Sequence, residues 1–181
     1  MDSKETYDAD RGEAFSLTPA QLCRQTAMEY IGLGGKSNGK VRRKLEDEGF
    51  ASELIEPCLE KLRQDAYIDD VALARRVLRE RRGRRAEAHA ALLIRMLNQG
   101  IPEHTAESIV YTEAVNETTL LSEYLQEHGA RELSALADAE PYSPDYQKLY
   151  GRLGRRAEGR GFSASLIHRI LHEMINERRE G

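Results

Sequence analysis

Asp69 and Asp70 stand side by side in the stretch YIDDVALARRVLRERRGRR, Tyr67 to Arg85, and the seven arginines that follow them are relieved only by Glu80. Four readings fit these residue types: a catalytic acid pair, a carboxylate metal site, a basic helix for an acidic partner, and a solvated helix face. Catalysis or metal binding needs further groups converging on the carboxylates, and none stands within the motif. The acid pair also has an ordinary use. In a helix over Asp70–Arg82, Asp69 is the N-cap and Asp70 sits in the first turn, where free N–H groups and the helix dipole favour negative charge. At about 100° per residue, Leu73, Ala74, Val77 and Leu78 fall on one side of that helix. Arg75, Arg76, Arg79 and Arg82 fall on the other, so the apolar side packs and the arginine side faces out.

The formal net charge of −4 by itself argues against a nucleic-acid binder, but the distribution is uneven. Lys36 to Lys44 holds five basic residues, Arg75 to Arg85 seven and Lys148 to Arg160 five, whereas Asn98 to Pro141 holds nine acids and one base. Basic clusters in an acidic frame suit a docking face with a sign. Arginine's planar fork matches phosphates and carboxylates. The candidate docking residues are Arg75, Arg76, Arg79 and Arg82, with Arg84 and Arg85 beyond them. Arg152, Arg155 and Arg156 extend the face, and Lys40, Arg42 and Lys44 join it from KVRRK.

Other chemistry is thinly supported. His168 and His172 have a zinc-compatible spacing but no HExxH glutamate and no third ligand nearby. Cys58 falls at a core position, and two cysteines without CxxC spacing read as reduced thiols. GLGGKSNG lacks the spacing and the preceding strand of a phosphate loop. Among the tyrosines that could stack bases, Tyr30 and Tyr67 flank apolar helix positions and read as core. No cofactor and no metal is expected.

The elements that must carry these residues are helical. Thr18-Pro19-Ala20-Gln21 is a capping box with proline at the first helical position. The helix behind it should bury Leu22, Ala27 and Ile31 and end near Gly32, Gly34 or Gly35. Further helices are expected from Ser37 to Gly49 and from Ser52 to Gln64, the latter with Leu54, Ile55, Cys58, Leu59 and Leu62 on one face. No sustained strand-like alternation is present, so the fold class is all-α.

The chain then repeats itself. Aligning Gly49, Gly100 and Gly161 brings Phe50, Ile101 and Phe162 into register one position later. It also aligns Ile55, Ala106 and Ile167; Cys58, Ile109 and Ile170; and Leu59, Val110 and Leu171. Upstream it aligns Leu45, Met96 and Ala157, then Val41, Leu92 and Leu153. The pattern is helix, glycine stop, helix, with a further helix ahead of each pair at about Pro19–Leu33, Asp70–Arg82 and Glu117–His128. Three tandem three-helix repeats in a curved, elongated stack are expected: 18–66, 67–116 and 117–181, behind an acidic tail over 1–17. The longer third repeat places its extra residues in a loop at EPYSPDYQ.

These residues resemble the RecX family, bacterial modulators of the RecA recombinase. The resemblance is carried by RRKLEDEGFASELIEPCLEKLRQDAYIDDVALARRVL, by LLIRMLNQGIPEHTAESIV and by RLGRRAEGRGFSASLIHRIL. It spans about Ala27 to Ile175. The family's signature of an acid pair opening a helix falls at Tyr67 to Ala74, with Leu73 where an aromatic is usual and GLGGKSNGK where a basic run is common. The resemblance implies a non-enzymatic protein that lodges in the groove of a RecA–DNA filament and restrains strand exchange and co-protease activity. Some members also bind DNA directly. A monomer that binds naked DNA weakly is expected. The alternative is a helical-repeat adaptor for a protein partner without a DNA-repair role; an enzyme has no constellation to support it. No apolar run approaches the 18 to 20 or so residues of a membrane span, and the N-terminus lacks an apolar signal core, so a cytoplasmic location is expected.

Overall fold

The computed structural model describes residues 17–180. The acidic tail expected over 1–17 therefore lies, Leu17 apart, outside the described residues. Within them the chain is helical and contains no strand: α1 (Pro19–Ile31), α2 (Asn38–Asp47), α3 (Ser52–Gln64), α4 (Asp70–Glu80), α5 (His89–Asn98), α6 (Glu103–Glu113), α7 (Glu117–Asp138), α8 (Pro144–Glu158) and α9 (Ala164–Glu180).

The helices start where side chains can satisfy their free N–H groups. The Thr18 hydroxyl accepts from the Gln21 N–H while the Gln21 side chain accepts from the Thr18 N–H at 2.8 Å, which completes the capping box. The side chains of Ser37, Asp69, Asn116 and Ser143 cap α2, α4, α7 and α8 by accepting one first-turn N–H each, without the return bond. The stops are equally local. Gly49, Gly100 and Gly161 have φ of 82°, 78° and 88°, which a side chain would strain. After each, the next N–H turns back to the carbonyl five residues earlier: Phe50 to Leu45 (3.1 Å), Ile101 to Met96 (3.1 Å) and Phe162 to Ala157 (3.3 Å). This is the Schellman closure of a helix C-terminus.

Packing follows these stops. α1, α2 and α3 contact one another, as do α4, α5 and α6, and α7, α8 and α9. Each group encloses its own core. Cys23, Ala27, Val41, Leu45, Leu59 and Leu62 fill the first. Ala74, Val77, Leu92, Met96 and Val110 fill the second, and Leu121, Leu125, Leu133, Leu153 and Leu171 the third. Every residue aligned on the three glycines is buried except Phe50, which is half-buried.

Several sequence expectations need correction. Leu22 is 47% exposed, because α1 buries the row Cys23, Ala27 and Ile31 and Leu22 lies one residue off it. Tyr67 is not core: it is 44% exposed, with the Arg24 guanidinium 6.0 Å from its ring. The third group's extra length is chiefly helix rather than loop. α7 runs on to Asp138 because Leu133 and Leu136 continue its buried stripe. α4 stops at Glu80, so Arg82 lies beyond the helix in extended backbone.

The groups meet through backbone. The Gly39 N–H donates to the Gly100 carbonyl at 2.9 Å, and a Cβ on Gly39 would stand 2.6 Å from that oxygen. The Ser37 hydroxyl donates to the Gln99 carbonyl, and the Asp70 carboxylate accepts the Asn38 N–H at 3.1 Å. The N-cap and first turn of α2, Ser37 to Gly39, thus form a joint against the second group. The Ala88 N–H, donating to the Arg160 carbonyl at 3.0 Å, joins the second group to the third.

Candidate docking face

The acid pair resolves into two structural tasks. Asp69 accepts the Ala72 N–H at 2.8 Å and caps α4. Asp70 reaches across to the first turn of α2, and burial pushes its carboxyl above the usual carboxylate range. Among the described residues, no group of three or more His, Cys, Asp or Glu is gathered as a metal ion would need.

The arginines divide into paired and unpaired. Arg75 grips Glu113 on α6 with Nε and a terminal nitrogen at 2.8 and 2.7 Å. Arg82 grips Glu123 on α7, its Nε donating at 2.9 Å. The hydrogen bonds from these arginines hold the carboxyls of Glu113 and Glu123 below the usual range. Elsewhere Arg42 pairs with Glu56, Lys44 with Glu48, and Arg156 with Glu132. The sequence places Arg42, Arg75, Arg82 and Arg156 on open faces and cannot show that an acid from another helix meets them, whereas Lys44 and Glu48 are an i, i+4 pair at the end of α2. Arg76, Arg79, Arg84 and Arg85 are exposed and have no ion pair among the described residues, as are Arg152, Arg155 and Lys40.

The turn Gly83–Arg85 is fixed against α7. The N–H groups of Gly83 and Arg84 reach Glu123 and Glu127 at 3.4 and 3.1 Å, and a Cβ on Gly83 would meet the Glu127 carboxylate at 2.5 Å. This anchoring presents Arg84 and Arg85 from a defined backbone beside α4.

A cavity of about 230 Å³ opens beside the face. Leu78, Leu92, Ala114, Val115 and Leu120 line it together with Arg75, Arg79, Arg81, Arg82 and Glu113. Leu92 and Leu120 are buried and the arginines other than Arg81 are exposed, so the cavity has an apolar base and a basic mouth.

One residue behind the face escaped sequence reasoning altogether. Glu87 is only 5% exposed. Arg95 donates to it twice, at 2.7 and 2.5 Å, and the Arg81 and Arg160 guanidinium groups stand at 3.9 and 3.8 Å. Three cations around one buried carboxylate leave positive charge in excess at the junction of α4, α5 and α8. The Arg81 Nε is buried there without a hydrogen-bond acceptor. A lone glutamate between two alanines gives no signal of this in the sequence.

No family model matches the chain. The Regulatory protein RecX of Prosthecochloris aestuarii is 27% identical over 150 residues, covering 82% of this chain and 91% of that protein. The Regulatory protein RecX of Pelodictyon phaeoclathratiforme is 28% identical over 102 residues, covering 56% of this chain and 54% of that protein. The crystal structure of RecX from Lactobacillus salivarius superposes with a TM-score of 0.64 at 18% identity, covering 86% of this chain and 96% of that one. The chain is thus RecX-like, in sequence over most of its length and in the course of its helical backbone.

Proposed function

We propose that this protein is a regulatory subunit of recombination that docks on a RecA–DNA filament and restrains recombinase, ATPase and co-protease activity. The observation that carries this reading is the set of unpaired arginines, Arg76, Arg79, Arg84 and Arg85, beside a basic-mouthed apolar cavity in a RecX-like chain. The three helix groups act as repeats, so that Arg152, Arg155 and Lys40 prolong the face beyond the second group. Arg75, Arg82, Arg156, Arg42 and Lys44 contribute once their ion pairs, which are all partly open to solvent, are exchanged for the filament's acids.

The apolar base of the cavity favours a protein surface over bare nucleic acid. A phosphate backbone satisfies arginines but has no side chain to fill a leucine-lined recess, whereas an acidic segment with an apolar residue supplies both. The net charge of −4 adds long-range repulsion from free DNA. The protein works as a monomer in the cytoplasm and holds the filament more tightly than naked DNA through this face.

The test is recombinase ATPase on single-stranded DNA with this protein added over a range of salt. Suppression is expected, with a salt dependence shallower than a phosphate-dominated contact, which would lose about 0.7 in log affinity per log unit of salt for each contact with a single strand. Absence of any effect on ATPase or filament length, together with binding to an unrelated protein partner, would establish the adaptor reading instead.

A further inference from the structure

Five aromatic rings form a row on the surface of the third helix group, well separated in sequence from the arginines of α4. Tyr142 and Tyr146 have ring centroids 6.3 Å apart, and Tyr146 and Tyr150 are 5.9 Å apart and stacked at 20°. The row crosses to α9 through His168, 6.1 Å from Tyr150, and reaches His172 a further 6.4 Å on. Four residues of helix advance about 6 Å, so the i, i+4 spacing of tyrosines and histidines builds the row directly. The Tyr150 hydroxyl lies 2.7 Å from His168 Nδ1 and ties the two helices at its centre.

Packing explains only part of this row. Tyr146 and Tyr150 are half-buried and lean on the third core. Arg179 lies 5.9 Å from the Tyr146 ring while its guanidinium donates to the carbonyls of Leu136, Ala137 and Ala139 at the end of α7. Tyr142 has no such duty. The residue is 82% exposed, and its backbone is held at φ 65°, a conformation costly for a bulky residue. The Gln147 amide donates to its carbonyl at 3.0 Å and keeps that turn in place. An exposed aromatic ring on strained backbone, continuing a row of rings, marks a surface built to be covered.

The surroundings select the occupant. The rings line a trough of about 380 Å³ with no carboxylate in its wall. A neighbouring trough of about 280 Å³ shares Tyr150, Gly151 and His168 with it and contains Arg155 and one carboxylate, Glu158. Gly151 and Gly154 lie in its α8 wall beside Tyr150, Arg155 and Glu158, and the Arg155 guanidinium lies over Gly151, 3.2 Å from where a Cβ would stand. A ligand that uses the whole groove offers flat rings to the tyrosines and an anionic link to Arg155. A proline-rich peptide would use the rings and leave the arginine idle, and a duplex hides the faces of its bases.

We infer that the groove between α8 and α9 is a stacking site for unpaired bases of single-stranded nucleic acid, with Tyr142 and its neighbouring rings taking the bases and Arg155 a phosphate. It lies apart from the arginines of α4, shares Arg155 with the third-group end of the proposed docking face, and its oligonucleotide test requires no recombinase. Its attraction comes from stacking, which is sequence-tolerant, more than from charge, so it operates on a chain of net negative charge.

The experiment uses the full chain and a fluorescein-labelled 20-nucleotide oligothymidylate, read by anisotropy, with a 20-base-pair duplex and a decaproline peptide as competitors. The variant is Tyr142→Gly, which removes the ring and relieves the positive φ at once. It should therefore keep or raise thermal stability while weakening oligothymidylate binding by about 5- to 100-fold. Arg155→Gln should lower the affinity and flatten the salt dependence by about 0.7 in log–log slope, for one phosphate contact. Glu158→Gln should strengthen binding. Competition by duplex or decaproline should be at least about tenfold weaker than by unlabelled oligothymidylate, given the loss of stacking or of the phosphate contact. No binding of the single strand, equal binding of the duplex, decaproline displacing the oligonucleotide as well as unlabelled strand does, or a stable Tyr142→Gly protein with unchanged affinity each overturns the inference.

Discussion

Arg75 and Arg79 lie one helical turn apart on α4, and the fold gives them opposite fates. Arg75 is held by Glu113, while Arg79 has no ion pair among the described residues. A helical wheel places both on the outward side and stops there, because the acid that meets Arg75 comes from 38 residues away. The cysteines were easier to read. Cys23 is fully buried beside Cys58, and burial, reinforced by that neighbour, pushes its thiol up to about 12; burial also raises Cys58. Neither thiol should react with a disulfide reagent at pH 8 until the protein is unfolded, and fast labelling of the native protein would contradict the burial. The pH dependence has a definite sign. Above about 8.5, where an unfolded cysteine ionises, the unfolded chain sheds protons that the native thiols retain, so stability should fall as the pH rises.

At the scale of elements, the helix stops were legible because a Schellman turn needs glycine at one position and an apolar residue at the next, and that pair recurs at Gly49, Gly100 and Gly161. The contacts between helix groups were not legible. Ser37, Asn38 and Gly39 read as the start of a helix, yet they also abut the Gly100 turn, and nothing in a local pattern says which distant backbone will approach. The end of α7 was missed for a related reason: Leu133 and Leu136 continue the helical stripe, while the proline and tyrosine that follow draw the eye to a loop. The joint yields a sharp comparison. A Cβ on Gly49 would meet nothing within 4 Å, whereas one on Gly100 would stand 2.8 Å from the Ser37 hydroxyl oxygen and 2.9 Å from the Lys40 nitrogen. Gly49→Ala should therefore cost about 1 to 2 kcal/mol, the left-handed backbone penalty alone. Gly100→Ala should cost clearly more, since it also disrupts the joint. Chemical denaturation of both variants decides this, and equal losses would mean that the joint contributes nothing.

At the scale of the whole molecule, the all-helical class and the RecX resemblance were readable because order and spacing persist where individual residues drift. The proposed docking face is visible in the sequence as a bias of charge, but which of its arginines are paired is not. Internal pairing shifts the unpaired charge from Arg75 and Arg82 to Arg76, Arg79, Arg84 and Arg85, and sets it beside a leucine-lined cavity assembled from α4, α5, α6 and α7. The central claim is that this unpaired charge is what a recombinase filament recognises. The most direct measurement compares the wild-type chain with the Arg76→Glu, Arg79→Glu, Arg85→Glu triple variant in a recombinase ATPase assay on single-stranded DNA, after circular dichroism has shown that helicity is retained. The wild type should suppress ATPase, and the variant should require at least about tenfold more protein for the same effect, since lost pairs are replaced by like-charge repulsion. A folded variant that suppresses ATPase at wild-type concentrations would contradict the claim and return these arginines to the role of a solvated helix face.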